Sequence, residues 1–210
     1  MAIYHFNVKI KNKQNIIKSS AYNSGSKIRD KLENKSYNYK KKEEVLFSGI
    51  FLPKGCHERF RERVVLWNEV KSRCIRKDSQ VAKSIIVALP KELGFFENFS
   101  LLNKFCEDVF VSKGHIVDLN IHFDESGDNP HAHILVTTAK IDLNGNLGER
   151  DYSIDSKQSL LEWRELWEKT VNLYLKEYAP QVALISSKSK REHEIEQFPQ
   201  KHTGYRVKQG

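Results

Sequence analysis

Two strand-like segments flanking a short polar turn constrain this chain more than any other stretch. Residues 116–123 alternate, with Val117, Leu119, Ile121 and Phe123 on one face and Asp118, Asn120 and His122 on the other. After a turn rich in Asp, Gly, Asn and Pro, His131 and His133 stand two residues apart, so on a strand they share a face. If the strands pair, His122, His131 and His133 converge near the loop end of one sheet face. A lone strand histidine is ordinarily surface or core filler. Three on one face of one hairpin supply half of an octahedral coordination shell, or three of four tetrahedral positions, with room left for substrate.

A hairpin of this kind is antiparallel by necessity, and around it strands and helices alternate irregularly. Strands are expected over residues 3–10, 45–52 and 80–89. Helices are expected over about 17–32, 57–76, 98–112 and 157–178. In the 17–32 segment Ala21, Gly25, Ile28 and Leu32 form the expected buried stripe, with Tyr22, Ser26 and Arg29 beside it. The turn at 142–146 precedes a short edge strand, and the chain becomes polar and uneven from Ile185. These elements predict an α+β fold with a central, mainly antiparallel sheet of about five strands and flanking helices. The expected division is a main domain over 1–184 and a loosely held segment over 185–210, the edge of the same domain in a longer protein.

Three cysteines without paired spacing, Cys56, Cys74 and Cys106, point to a reduced compartment and no disulfide frame. With no apolar run of membrane-spanning length and no leader pattern, the expectation is a cytoplasmic protein without a membrane segment.

The net charge of +8 is unevenly placed. Between Lys11 and Lys42 ten Lys or Arg face only two acids, Asp30 and Glu33, and Tyr37 and Tyr39 are interleaved among the lysines. Such a segment fits a polyanion with stackable bases, although it equally fits an exposed loop. Lys27, Arg29, Lys40, Lys41 and Lys42 are the candidate DNA contacts on charge alone. A three-histidine metal beside a basic surface suits phosphate chemistry. The nucleophile is then either water, as in a hydrolytic nuclease, or a side chain. Tyr22 is the side-chain candidate, because a phenol oxygen can form a covalent phosphodiester.

Four motifs in a fixed order narrow this choice: Ala2-Ile3-Tyr4-His5-Phe6, Ser20-Ala21-Tyr22-Asn23-Ser24-Gly25, Ala88-Leu89-Pro90-Lys91-Glu92-Leu93 and Asn129-Pro130-His131-Ala132-His133. With Leu66-Trp67-Asn68, Trp163-Arg164-Glu165 and a late Pro199–Gly204 element, the chain resembles the MobA/MobL (MobQ-type) plasmid mobilisation relaxases of the HUH endonuclease superfamily. The resemblance implies a relaxase-like fold and nicking of one DNA strand at an origin of transfer. It implies that Tyr22 attacks the scissile phosphate and stays joined to the 5′ phosphate, while His122, His131 and His133 hold a divalent metal. Mg or Mn is the ion expected in the cell, with Zn or Ni also suited in vitro to three imidazoles. The implied partners are single-stranded and hairpin DNA at the origin, accessory relaxosome proteins and a coupling protein. The protein itself is expected to be a bacterial, cytoplasmic monomer.

One departure stands out. Relatives often carry a glutamate on the strand before Ala88-Leu89-Pro90, and here Ser84 takes the aligned position. Serine is a poor proton acceptor at neutral pH, so either Glu125 or Asp128 in the hairpin loop, a metal-bound hydroxide or solvent takes the Tyr22 proton, or the chain is impaired. A rolling-circle replication initiator of the same superfamily and a non-cleaving hairpin-DNA binder are the competing readings.

Overall fold

The computed structural model describes residues 3–40, 44–123 and 129–188. In chain order the elements are β1 (Phe6–Asn12), α1 (Ile16–Asn23), β2 (Lys27–Asp30), β3 (Lys35–Asn38), β4 (Val45–Phe51), α2 (Arg63–Ser72) and β5 (Gln80–Ala88). Then follow α3 (Phe95–Val109), β6 (His115–His122), β7 (His131–Ile141), β8 (Leu147–Arg150) and α4 (Lys157–Tyr178). The main sheet runs β1-β5-β7-β6-β4 with antiparallel neighbours, and β8 adds to the far end of β7. The α+β expectation holds, with β2 and β3 forming a separate two-stranded ribbon.

The alternation of β6 explains why helices lie on both faces. Val117, Leu119 and Ile121 join Ile134 and Val136 of β7 in a core built with Phe105 of α3 and Trp163 and Trp167 of α4. Leu135 and Ile116 point the other way, into a second core with Ile16 and Ile17 of α1 and Leu66 and Trp67 of α2. The whole of β6 is therefore buried, and Asp118, Asn120 and His122 lie inside the protein on the α1 side.

The helix expected over 17–32 is the main correction. It ends at Asn23, and Lys27 and Arg29 lie on a strand. Local bonds explain the break. Ser24 Oγ donates to Ser20 O (2.7 Å), and Gly25 takes a left-handed φ of 58°, which halts the helix. Asp30 Oδ1 accepts from Leu32 N and Glu33 N (3.1 Å each), and Asn34 has φ 49°, so a tight turn reverses the chain into β3. Ala21 and Ile28 are buried as expected, but Leu32 is exposed. Lys71 Nζ anchors the ribbon to α2 by donating to Asp30 Oδ2 and Glu33 Oε1, both at 2.5 Å. Burial opposes its charge, but the two bonds outweigh that and raise its pKa.

Smaller corrections follow similar logic. The helix expected over 57–76 is a 3₁₀ turn (Glu58–Arg61) followed by the shorter α2, because Glu62 is extended (ψ 110°). The segment after Asn34, whose composition fits a nucleic-acid contact and an exposed loop equally, contains β3. The 22-residue α4 matches its expected span, capped by Ser156, whose Oγ accepts from Ser159 N (3.0 Å). Past α4, Ile185 is buried and its backbone bonds the Asn172 side chain in both directions at 2.9 Å. Among the described residues, no helix is long and apolar enough to cross a membrane.

At the far end of β6 from the three histidines, His115 is buried; its Nδ1 donates to Thr137 O (2.9 Å) and its Nε2 stands 3.3 Å from Asp151 Oδ2. Burial lowers its pKa, although the Thr137 bond and the Asp151 charge oppose the shift. A histidine depressed in the fold resists a proton that the unfolded chain accepts below about pH 6.5, so stability falls on acidification through that value. The expected result is that His115→Asn, which keeps a donor toward Thr137, loses less stability than the natural chain between pH 7.5 and 5.5. Urea midpoints at both pH values measure this, and equal losses would refute it.

Candidate active site

The register of the β6–β7 hairpin places the three imidazoles. His122 and His131 are direct cross-strand partners, and His133 lies opposite Asn120, on the face that packs against α1. Ring centroids are 5.4 Å apart for 122–131, 4.6 Å for 122–133 and 5.1 Å for 131–133. One ligand nitrogen from each ring lies within 4.8 Å of the others, close enough to surround a single divalent ion. His122 is buried while His131 and His133 are half-buried, so the cluster is closed from beneath and more open above.

Two backbone carbonyls orient the rings. His131 Nδ1 donates to Asn129 O (2.9 Å), which fixes the tautomer with Nε2 as its basic nitrogen. His122 Nε2 donates to Asn23 O (2.5 Å), which makes Nδ1 the basic nitrogen of that ring. The second bond links two parts of the candidate site. Asn23 follows Tyr22 at the end of α1, so the candidate nucleophile's helix is fastened directly to a candidate metal ligand. The Tyr22 side chain is 45% exposed and meets the Tyr39 ring edge-on, with centroids 5.4 Å apart.

Beneath the histidines lies an acid to which the sequence reading assigned no role. Asp118 is fully buried on the same face of β6. It accepts from Ser20 Oγ of α1 (2.8 Å), Trp67 Nε1 of α2 (2.9 Å), Asn120 Nδ2 (3.0 Å) and Arg63 Nε (3.0 Å). A buried carboxylate is tolerable only with its charge and acceptor sites matched in this way. The network locks both helices onto β6, with Ser20 only two residues from Tyr22. The signal for Asp118 was present in the alternation that also picked out His122.

The basic candidates divide. Lys27 and Arg29 are exposed on β2, and Lys40 is exposed just after β3. Lys41, Lys42, Glu125 and Asp128 lie outside the described residues. Ser84 lies opposite Leu135, whereas Ile86 faces His133 and Ala88 faces His131. The β5 residues beside the cluster are therefore the aliphatic Ile86 and Ala88, and Ser84 sits one cross-strand step farther from the loop.

The family model described as MobA/MobL matches residues 14–210. The chain belongs to the MobA/MobL family. Among its relatives, a probable mobilization protein MobA of Bifidobacterium longum is 34% identical over 145 residues, covering 68% of this chain and 26% of that protein. A mobilization protein MobL of Acidithiobacillus ferridurans is 25% identical and covers 97% of this chain and 62% of that protein. This MobA/MobL chain thus spans about a quarter of the Bifidobacterium relative. A solved structure described as the molecular basis of vancomycin resistance transfer in Staphylococcus aureus superposes with TM-score 0.82 at 36% identity, covering 90% of this chain and all of that one. The conjugative relaxase TrwC, solved with origin-of-transfer DNA and metal, shares the fold (TM-score 0.54, 10% identity, 83% of this chain and 71% of that one).

Proposed function

We propose that this chain is the nicking domain of a conjugative relaxase, with Tyr22 as nucleophile and His122, His131 and His133 as holders of a divalent metal. The single observation that carries the proposal is the Asn23–His122 bond, which joins the end of the tyrosine's helix to the three-histidine cluster. The TrwC fold likeness is consistent with the same reading.

The step balances as a transesterification. Tyr22 Oη forms a bond to the scissile phosphorus, the bond from phosphorus to the 3′ oxygen breaks, and the proton the phenol releases to solvent is matched by one that the departing 3′ oxygen takes up to become the 3′ hydroxyl. The products are a 5′-phosphotyrosine and a free 3′ hydroxyl. One phosphodiester replaces another, so attack by a 3′ hydroxyl on the adduct rejoins the strand. A bound divalent cation supplies positive charge for the non-bridging phosphate oxygens. The chain's own part is placement: Asp118 holds α1 through Ser20, and the Asn23 carbonyl sets His122. Lys27, Arg29, Lys40, Lys41 and Lys42 supply the charge that holds the DNA backbone. The substrate is single-stranded and hairpin DNA at an origin of transfer, met in a bacterial cytoplasm alongside accessory relaxosome proteins and a coupling protein.

The test is incubation with an end-labelled single-stranded origin oligonucleotide and Mn²⁺, read on a denaturing gel. The expected product is a labelled band retained by the protein in SDS. Cleavage that yields only free 5′-phosphate ends would instead indicate water as nucleophile, and binding without cleavage would indicate a non-cleaving hairpin binder.

A further inference from the structure

A nucleophile at the end of a short helix needs something to fix its ring. Tyr22 lies in the last turn of the eight-residue α1 and is 45% exposed, so the direction of its ring is set by the groups that pack beside it. A phenol oxygen that attacks phosphorus must be held near 3–3.5 Å and in line, and a misplacement of about 1 Å costs on the order of 100-fold. Tyr39 supplies a wall against that motion. Its ring stands at 86° to the Tyr22 ring with centroids 5.4 Å apart, the edge-to-face arrangement that aromatic quadrupoles favour.

Tyr39 is itself fixed relative to α1, not merely close to it. Its backbone N donates to Ser26 O (3.0 Å), while Ser26 N donates to Ala21 O of α1 (3.0 Å). Ser26 Oγ and Ser24 Oγ are 2.6 Å apart, and Ser24 Oγ donates to Ser20 O, which stiffens the intervening turn. On its other side Tyr39 is half-buried against the second core, and the β2–β3 ribbon that delivers it is anchored by Lys71. The two tyrosines are therefore held in one frame that begins at the residue before Tyr22.

From this we infer that Tyr39 is a positioning residue for the Tyr22 nucleophile, acting through its ring and not through its hydroxyl. The inference rests on the relaxase reading, in which Tyr22 attacks phosphate. Under it, Tyr39→Phe keeps the edge-to-face contact and full function, whereas Tyr39→Leu and Tyr39→Met keep apolar bulk but lose the aromatic wall.

The experiment measures single-turnover adduct formation at saturating origin oligonucleotide, together with oligonucleotide affinity by fluorescence anisotropy. All proteins are assayed at a temperature where thermal melts show each variant folded. The expected result is a rate about tenfold lower for Tyr39→Leu and Tyr39→Met, affinity within about twofold of the natural chain, and a natural rate for Tyr39→Phe. Natural rates in the two aliphatic variants overturn the inference while leaving the relaxase reading intact. So does an equal slowing of Tyr39→Phe, which would assign the role to the hydroxyl. A loss confined to affinity would make Tyr39 a DNA contact and likewise overturns it. If the natural chain forms no adduct, the relaxase reading falls and the inference falls with it.

Discussion

Tyr22→Phe is expected to abolish the covalent DNA adduct, lowering its rate by about 10⁴-fold or more, while the protein still binds the same oligonucleotide with little change. The substitution removes one oxygen from a half-exposed side chain. The ring remains, so its contact with Tyr39, the end of α1 and the Asn23–His122 bond all persist. Loss of activity with an unchanged melting temperature then reports chemistry and not folding. A denaturing gel for the adduct, with anisotropy for binding, reads both halves. The alternatives separate cleanly. A nuclease that uses water keeps cutting in the variant, and a pure binder shows no adduct in either protein.

The second large effect concerns the imidazoles. His131→Ala and His133→Ala are each expected to weaken divalent-metal binding by about 100-fold or more, because even partners one shell further out from a metal are worth 10- to 100-fold. These two are the informative positions, since both are half-buried and their truncation leaves the core intact. His122 is less so: it is buried and bonded to the Asn23 carbonyl, so its loss also loosens α1. Titration calorimetry with Mn²⁺ measures the affinity, and adduct formation should fall alongside it. Unchanged affinity in both variants would mean that the rings do not share an ion.

The hairpin was legible in the sequence because its signal is local. A period of two on both strands sets which side chains share a face, and pairing His122 with His131 follows once the strands meet. The long helix α4 was legible for the corresponding reason, with Trp163, Trp167, Val171 and Leu175 at helical spacing and buried together. The first helix is shorter than its periodicity predicts because Ala21, Gly25 and Ile28 fit both a helical stripe and the helix–turn–strand that forms. What decides between them are side-chain bonds of Ser24 and Asp30 to the backbone, which periodicity does not register. The supports of the site were hidden more deeply. Ser20 reaches Asp118 across 98 positions, and Asn23 reaches His122 across 99. Tyr39 approaches Tyr22 only because the chain reverses twice between them. The register also sets Ser84 opposite Leu135 and makes Ile86 the β5 residue facing His133, a placement the β5 sequence alone does not give. Tyr22 and the triad could be named from residue type and motif; the frame that joins them could not.

The most direct measurement is to digest the adduct formed with a short origin oligonucleotide and locate the nucleotide-bearing peptide by tandem mass spectrometry. The account predicts a single modified residue, Tyr22, carrying the 5′ phosphate of the cleaved strand. Modification of another residue, Tyr39 included, or a linkage through the 3′ end would contradict it.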